Sequence, residues 1–95
     1  MRITRLLRIT GRVQGVGYRD ALRAQALARG LSGWVRNRRD GSVEAVLQGP
    51  EDAVTEVARW ARQGPPAARV SDVQVEHPTG ELDRAYEGFD WLPTA

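Results

Sequence analysis

The sequence predicts an α+β domain of the split βαβ type, in the order strand, helix, strand, strand, helix, strand, closed by a further strand at the C-terminal edge. Three observations lead there. Two stretches with helical apolar spacing, Tyr18 to Arg29 and Pro50 to Arg62, each follow a stretch whose apolar residues alternate with polar ones. A hairpin signal, Asp40-Gly41, stands between the two strand–helix units. With 95 residues and no repeat, linker or low-complexity tract, the chain reads as one domain, 1–95, large enough for one core. Any site on it should be shallow.

The elements follow in order. Leu7, Ile9, Gly11 and Val13 alternate with Arg8, Thr10 and Arg12, the period of a half-buried strand. A glycine-rich loop comes next, then a helix from Tyr18 to Arg29 carrying Leu22 and Ala26 on its apolar face. Gly30 followed by Leu31 suits a left-handed cap with an apolar follower. The second strand runs from about Ser32 to Arg38. Asp40-Gly41 suggests a two-residue hairpin turn, and Val43, Ala45 and Leu47 alternate beyond it until Gly49-Pro50 ends the third strand. The second helix has Pro50 at its first position, Glu51 and Asp52 in its first turn, and Val54, Val57, Ala58 and Ala61 on one face. Gly64-Pro65-Pro66 stops it. Val73 and Val75 mark a fourth strand, a polar turn runs from His77 to Asp83, and Tyr86 to Trp91 reads as the fifth, edge strand.

Two right-handed crossovers in this order place both helices on one face of an antiparallel sheet and leave the other face partly wet. Interleaving brings strands one and three to the centre. The loop after strand one then lies near the end of strand two, so that residues of strand two reach a ligand held in the loop.

Composition excludes several chemistries. The chain has no cysteine, which removes disulfides, thiol nucleophiles and cysteine-bound metals and fits a cytoplasmic protein. All 14 basic residues are arginine, so the lysine of a Walker loop is missing, and the glycine spacing does not fit a dinucleotide fingerprint. The isoelectric point near 9.9 reflects arginine replacing lysine, since 12 acidic residues leave a formal net charge of only +2. Arg36, Arg38 and Arg39 form a local basic cluster able to steer anions. The basic N-terminus lacks the apolar run of a signal peptide, and no segment is long and apolar enough to span a membrane.

The stretch Gly11-Arg12-Val13-Gln14-Gly15-Val16-Gly17-Tyr18-Arg19 carries the most chemical information. Gly15 and Gly17 permit positive φ, which turns consecutive N–H groups inward, and the helix start adds unpaired N–H groups and positive dipole. Arg19 opposes that dipole, as a cation placed to meet an anion would; Asp20 supplies part of the compensation.

This motif, together with Gly33-Trp34-Val35-Arg36-Asn37 through Asp40-Gly41-Ser42-Val43-Glu44 to Gly49, resembles the acylphosphatase family over about residues 4 to 91. The resemblance implies a ferredoxin-like fold and metal-free, cofactor-free hydrolysis of acyl phosphates to a carboxylate and inorganic phosphate. Its implied phosphate loop is Gln14, Gly15, Val16, Gly17, Tyr18 and Arg19. Arg19 would bind the phosphoryl group and Asn37 would orient the attacking water. An arginine fork with backbone N–H groups suits charge spread over equatorial phosphoryl oxygens, and an amide that accepts from water and donates to it can hold the nucleophile in line.

Plainer roles stand beside these. Asn37 alone would read as an organiser of the Asp40-Gly41 turn. Tyr18, Trp34 and Trp60 read as packing residues, and His77, the only histidine, as a surface residue without metal partners. Arg36 and Arg39 either recruit anionic substrates or are simply solvated. The alternative function is a non-catalytic phosphate-group or RNA binding module on the same fold; RNA-binding sheets carry aromatics on their central strands, and Val43 to Gln48 has none. Similar domains begin larger carbamoyl-transfer proteins, but the freestanding enzyme is preferred. The expected state is a cytoplasmic monomer acting on a small molecule, without nucleic acid or membrane partners.

Overall fold

The computed structural model describes the whole chain, Met1 to Ala95. Strands β1 (Arg2–Arg12), β2 (Ser32–Asn37), β3 (Val43–Pro50), β4 (Arg69–Glu76) and β5 (Phe89–Trp91) form one sheet in the order β4-β1-β3-β2-β5, with helices α1 (Tyr18–Ala28) and α2 (Glu51–Ala61) as the crossovers. Both helices pack on one face, as the alternation requires. Leu7 and Ile9 of β1, Val43 and Leu47 of β3, Leu22 of α1 and Val57 of α2 meet there, each fully buried. Burial of such side chains stabilises by about 1.5–3 kcal/mol each. Neither helix is long and apolar enough to cross a membrane.

The sheet is mixed, not antiparallel. β5 runs parallel to β2, with Gly33, Trp34 and Val35 opposite Phe89, Asp90 and Trp91. The segment after β4 is long enough to cross the helix-free face and return alongside β2 in the same direction. On its way it covers Trp34 and Val46 with Tyr86, flanked by Leu6, Leu82 and Leu92. Gln48 fastens the crossing, donating from Nε2 to Thr4 Oγ1 at 2.9 Å and to the Arg84 carbonyl at 2.8 Å while accepting from the Tyr86 amide at 2.8 Å. The polar turn before Asp83 contains a short 3-10 turn, Gly80–Leu82.

Element ends differ from the sequence reading in several places; β5 begins at Phe89, not Tyr86, because Tyr86 turns onto Trp34 instead of pairing with β2. β1 begins at Arg2 because its residues Arg2 to Ile9 pair with all of β3, Arg2 opposite Pro50; Arg5 on the helix-side register interrupts the apolar alternation and hides this start. Pro50 is the cap residue preceding α2, with extended ψ of 140°, and closes β3 instead of opening the helix. The β2–β3 turn is no two-residue turn. Asn37 and Val43 are the last pair, and the Arg38 amide donates to the Ser42 carbonyl at 2.8 Å, so Arg39, Asp40 and Gly41 form the tip. Asp40 organises that tip by accepting from the Ser42 amide at 2.9 Å and the Ser42 hydroxyl at 2.6 Å.

Helix α1 ends as its sequence predicts. Gly30 has φ of 69°, the Leu31 amide reaches the Ala26 carbonyl at 2.9 Å, and the Gly30 amide reaches that of Leu27 at 3.1 Å, a Schellman cap.

Candidate active site

The loop from Val13 to Gly17 joins the centre of the sheet to the start of α1. Val13 is buried and anchors the loop to the core. Gly15 and Gly17 both sit in the left-handed region, at φ of 73° and 78°, and no atom lies within 4 Å of where either Cβ would stand. Their need for glycine is therefore conformational, about 1–2 kcal/mol per residue for any other L side chain. Gly11 belongs to a different feature. The register between β1 and β4 shifts after Thr10, and a Cβ on Gly11 would run into the backbone of Arg69 and Ser71. It is the glycine of a strand bulge, not of the loop.

The loop presents its donors unpaired. No backbone N–H from Gln14 through Asp20 donates to another protein group; the first intrahelical bond is from Ala21 to the Gly17 carbonyl at 3.1 Å. The loop and the helix start border a pocket of about 200 Å³ lined by Val13, Gly15, Gly17, Tyr18, Arg19, Asp20 and Asn37. The two residues singled out from separated motifs, Arg19 and Asn37, thus share one small concavity. Arg19 is half-buried and forms no ion pair or hydrogen bond, Asp20 included. Asn37 points to the helix side of the sheet, the same side as Val35, and its Oδ1 is buried without a hydrogen-bond partner. A buried amide oxygen left open costs about 1–3 kcal/mol and marks a place where something else donates.

Gln14 and Val16 do not line this pocket. Val16 packs against the core. The Gln14 side chain turns the other way and donates from Nε2 to the Arg38 carbonyl at 2.7 Å and the Ser42 carbonyl at 2.8 Å. It ties the loop to the hairpin that carries Asn37, a role no local sequence signal announces because the acceptors lie 24 and 28 residues away.

Tyr18 is 1 % exposed and lies under the loop. Its hydroxyl donates to the Ala61 carbonyl at 2.7 Å, satisfying one of the unpaired carbonyls at the end of α2, and its ring leans on Trp60. Burial raises the hydroxyl pKa well above its ordinary value, which keeps the group neutral. It is a packing residue, as expected, whose edge reaches the pocket.

The basic cluster beside Asn37 does not face the pocket. Arg36 and Arg38 alternate to the helix-free face, where both pair with Glu44: Arg36 at 2.8 Å and Arg38 at 3.2 Å, with Arg8 at 3.7 Å. Glu44 is almost fully buried, and Arg36 also stacks over Trp34 at 4.8 Å. Those two cations are engaged in the fold, so of the cluster only Arg39, exposed at the hairpin tip, lacks an ion pair. His77 is exposed, and nowhere do three His, Cys, Asp or Glu side chains converge. On the helix-free face the aromatics Trp34 and Tyr86 are buried against each other, leaving no open stacking platform on the central strands.

A split βαβ sandwich with a donor-lined loop facing an unpartnered asparagine defines an α+β protein built to meet a small anion. Comparison with known proteins identifies which. The acylphosphatase family model matches residues 6–91. An acylphosphatase of Azoarcus sp. (strain BH72) is 57% identical over 90 residues, 95% of this chain and 89% of that protein. Acylphosphatase structures from Coxiella burnetii and Bacillus subtilis superpose with TM-scores of 0.87 and 0.86, each at 34% identity, covering 96% and 97% of this chain and 93% and 99% of theirs. The chain belongs to the acylphosphatase family, and the ferredoxin-like architecture is that of its relatives.

Proposed function

We propose that this acylphosphatase binds the phosphoryl group of an acyl phosphate in the loop Gln14, Gly15, Val16, Gly17, Tyr18 and Arg19 and hydrolyses it with a water held by Asn37. The observation that carries the assignment is the open Asn37 Oδ1, buried at the wall of the pocket that Arg19 and the free loop amides also line. Arg19 offers a planar fork to two phosphoryl oxygens, and the loop N–H groups meet the charge that spreads over the equatorial oxygens in the transition state. Gln14 contributes its backbone N–H, while its side chain sets the spacing between loop and asparagine.

Water accepts orientation from Asn37 Oδ1 and attacks phosphorus on the side opposite the acyl oxygen. The phosphorus–oxygen bond to the acyl group breaks, its electron pair leaves with the carboxylate, and the water proton passes to a phosphoryl oxygen. A mixed anhydride has a good leaving group, so no protein acid is needed. Charge is balanced by Arg19 and backbone dipoles, and the reaction proceeds without a metal or cofactor. The protein acts as a cytoplasmic monomer, 1–95 forming one domain, on a small-molecule substrate, with neither nucleic acid nor membrane as partner.

The test is phosphate release from benzoyl phosphate in EDTA, with Asn37→Ala as control. Rapid, chelator-resistant hydrolysis that the control lacks supports the assignment. A folded protein that binds phosphate without hydrolysing the substrate would be a silent phosphate-binding module instead.

A further inference from the structure

The surface has two concavities. The second, about 430 Å³, is lined by Arg23, Asp90, Trp91 and Leu92 and has no part in the chemistry above. Its position is fixed by two neighbours of the phosphate pocket. Arg23 lies one turn beyond Arg19 on α1, and residues four apart on a helix stand side by side. Trp91 pairs with Val35 on β2, and Asn37 is the next β2 residue on the same face. Both walls of the second concavity therefore continue walls of the first.

We infer that this shelf is the acyl subsite, and that it favours acyl groups with a flat apolar body. The inference rests on the reading of the first pocket as the phosphoryl site. A pocket of about 200 Å³ built around a phosphoryl group leaves the organic part of the substrate outside it. The adjoining surface offers an indole that is 56% exposed, although Trp34 in the same sheet is 4% exposed. An exposed indole gains free energy when a flat apolar group covers it.

Arg23 is held in place by donation from Nε to the Phe89 carbonyl at 2.7 Å, which also fastens α1 to β5. It forms no ion pair. A flat aryl group covers the exposed indole beside it.

The experiment compares kcat/KM for benzoyl phosphate with that for acetyl phosphate in the unsubstituted protein, Trp91→Ala and Trp91→Phe. The benzoyl-to-acetyl ratio should fall about three- to tenfold in Trp91→Ala, the range expected for loss of an aromatic pair, and be largely restored in Trp91→Phe. An unchanged ratio in Trp91→Ala, or an equal loss on both substrates in both variants, overturns the subsite while leaving the hydrolytic assignment standing. If the unsubstituted protein hydrolyses neither substrate, the phosphoryl-site reading fails and the subsite falls with it.

Discussion

Replacing Gln14 by leucine tests whether the two halves of the site are held together by one amide. The side chain donates two hydrogen bonds, at 2.7 and 2.8 Å, to carbonyls of the β2–β3 hairpin. Each is worth about 0.5–1.5 kcal/mol net, so their loss should lower stability by about 1–3 kcal/mol. A domain of this size has about 5–14 kcal/mol of stability, so the variant remains folded. The effect on catalysis should be larger than the effect on stability suggests, because a displacement of about 1 Å between water and phosphorus can reduce rate about a hundredfold. Steady-state kinetics on benzoyl phosphate, inhibition by inorganic phosphate and urea denaturation together read the outcome. The expected result is kcat down by about 10²-fold, with phosphate inhibition changed much less, since Arg19 and the loop amides remain. Gln14→Glu adds a sharper criterion. An ionised carboxylate has no proton to donate to the two carbonyls, whereas the protonated form restores one donor. Activity of that variant should rise as pH is lowered towards 5 while the unsubstituted protein stays level. If Gln14→Leu loses stability but keeps kcat within about twofold, and Gln14→Glu follows the unsubstituted pH profile, the amide only supports the fold and does not position the water against phosphorus.

Further outcomes follow from the same geometry. Arg19→Ala should abolish turnover and weaken phosphate inhibition, whereas Asn37→Ala should abolish turnover with phosphate inhibition nearly intact; equal loss of phosphate binding in both would refute the division of roles. Between about pH 5 and 8 kcat should vary little, because the pocket contains no histidine or cysteine and the Tyr18 hydroxyl titrates far above this window; a bell centred near the histidine pKa would contradict it. Tyr18→Phe should cost about 1–3 kcal/mol by leaving the Ala61 carbonyl without its donor, measured by thermal or urea unfolding. Since burial raises the Tyr18 pKa, its neutral hydroxyl stabilises the fold fully below about pH 10 and less as pH rises beyond; the phenylalanine variant should lack this part of the alkaline loss. Asp40 is held below its usual pKa of 3.8 chiefly by the Ser42 hydroxyl and then the Ser42 amide, so its contribution is present at neutral pH and fades as pH falls below that value; Asp40→Ala should flatten this part of the acid limb in pH-dependent unfolding.

Periodicity made the helix-side core legible because each buried position there is apolar and regularly spaced: Leu7, Ile9, Val35, Val43, Ala45 and Leu47 on the sheet, Leu22, Ala26, Val54 and Val57 on the helices. It failed where a buried face is polar or aperiodic. Glu44 is buried, yet it reads as an exposed strand residue, because its burial depends on Arg8, Arg36 and Arg38 converging from two neighbouring strands and the hairpin. The parallel entry of β5 was equally hidden. Three residues carry too little pattern to give a direction, and direction is set by the path of the segment covering Trp34. At the hairpin, Asp40-Gly41 marked the turn correctly but not its length, which Asp40 and Ser42 settle through side-chain bonds.

The candidate site shows the same division in sharper form. Its donors were readable because a glycine's freedom and a helix start are local properties, and Gly15, Gly17 and Arg19 lie within one stretch of chain. Gly11 belongs to the same motif and answers a different demand, the close approach of β4 at a bulge, so spacing alone grouped two unlike functions. What no local property contains is the distance between loop and asparagine. That distance is a property of the sheet: β3 separates the strand that launches the loop from the strand that ends at Asn37, and Gln14 spans the gap only because the hairpin turns back towards it. An unpaired amide oxygen facing unpaired amide hydrogens is stable in such an arrangement only if the surrounding bonds hold both sides apart. Gln14 on one side and the Ala95 amide, donating to the Asn37 carbonyl at 3.1 Å, on the other are the bonds that do so.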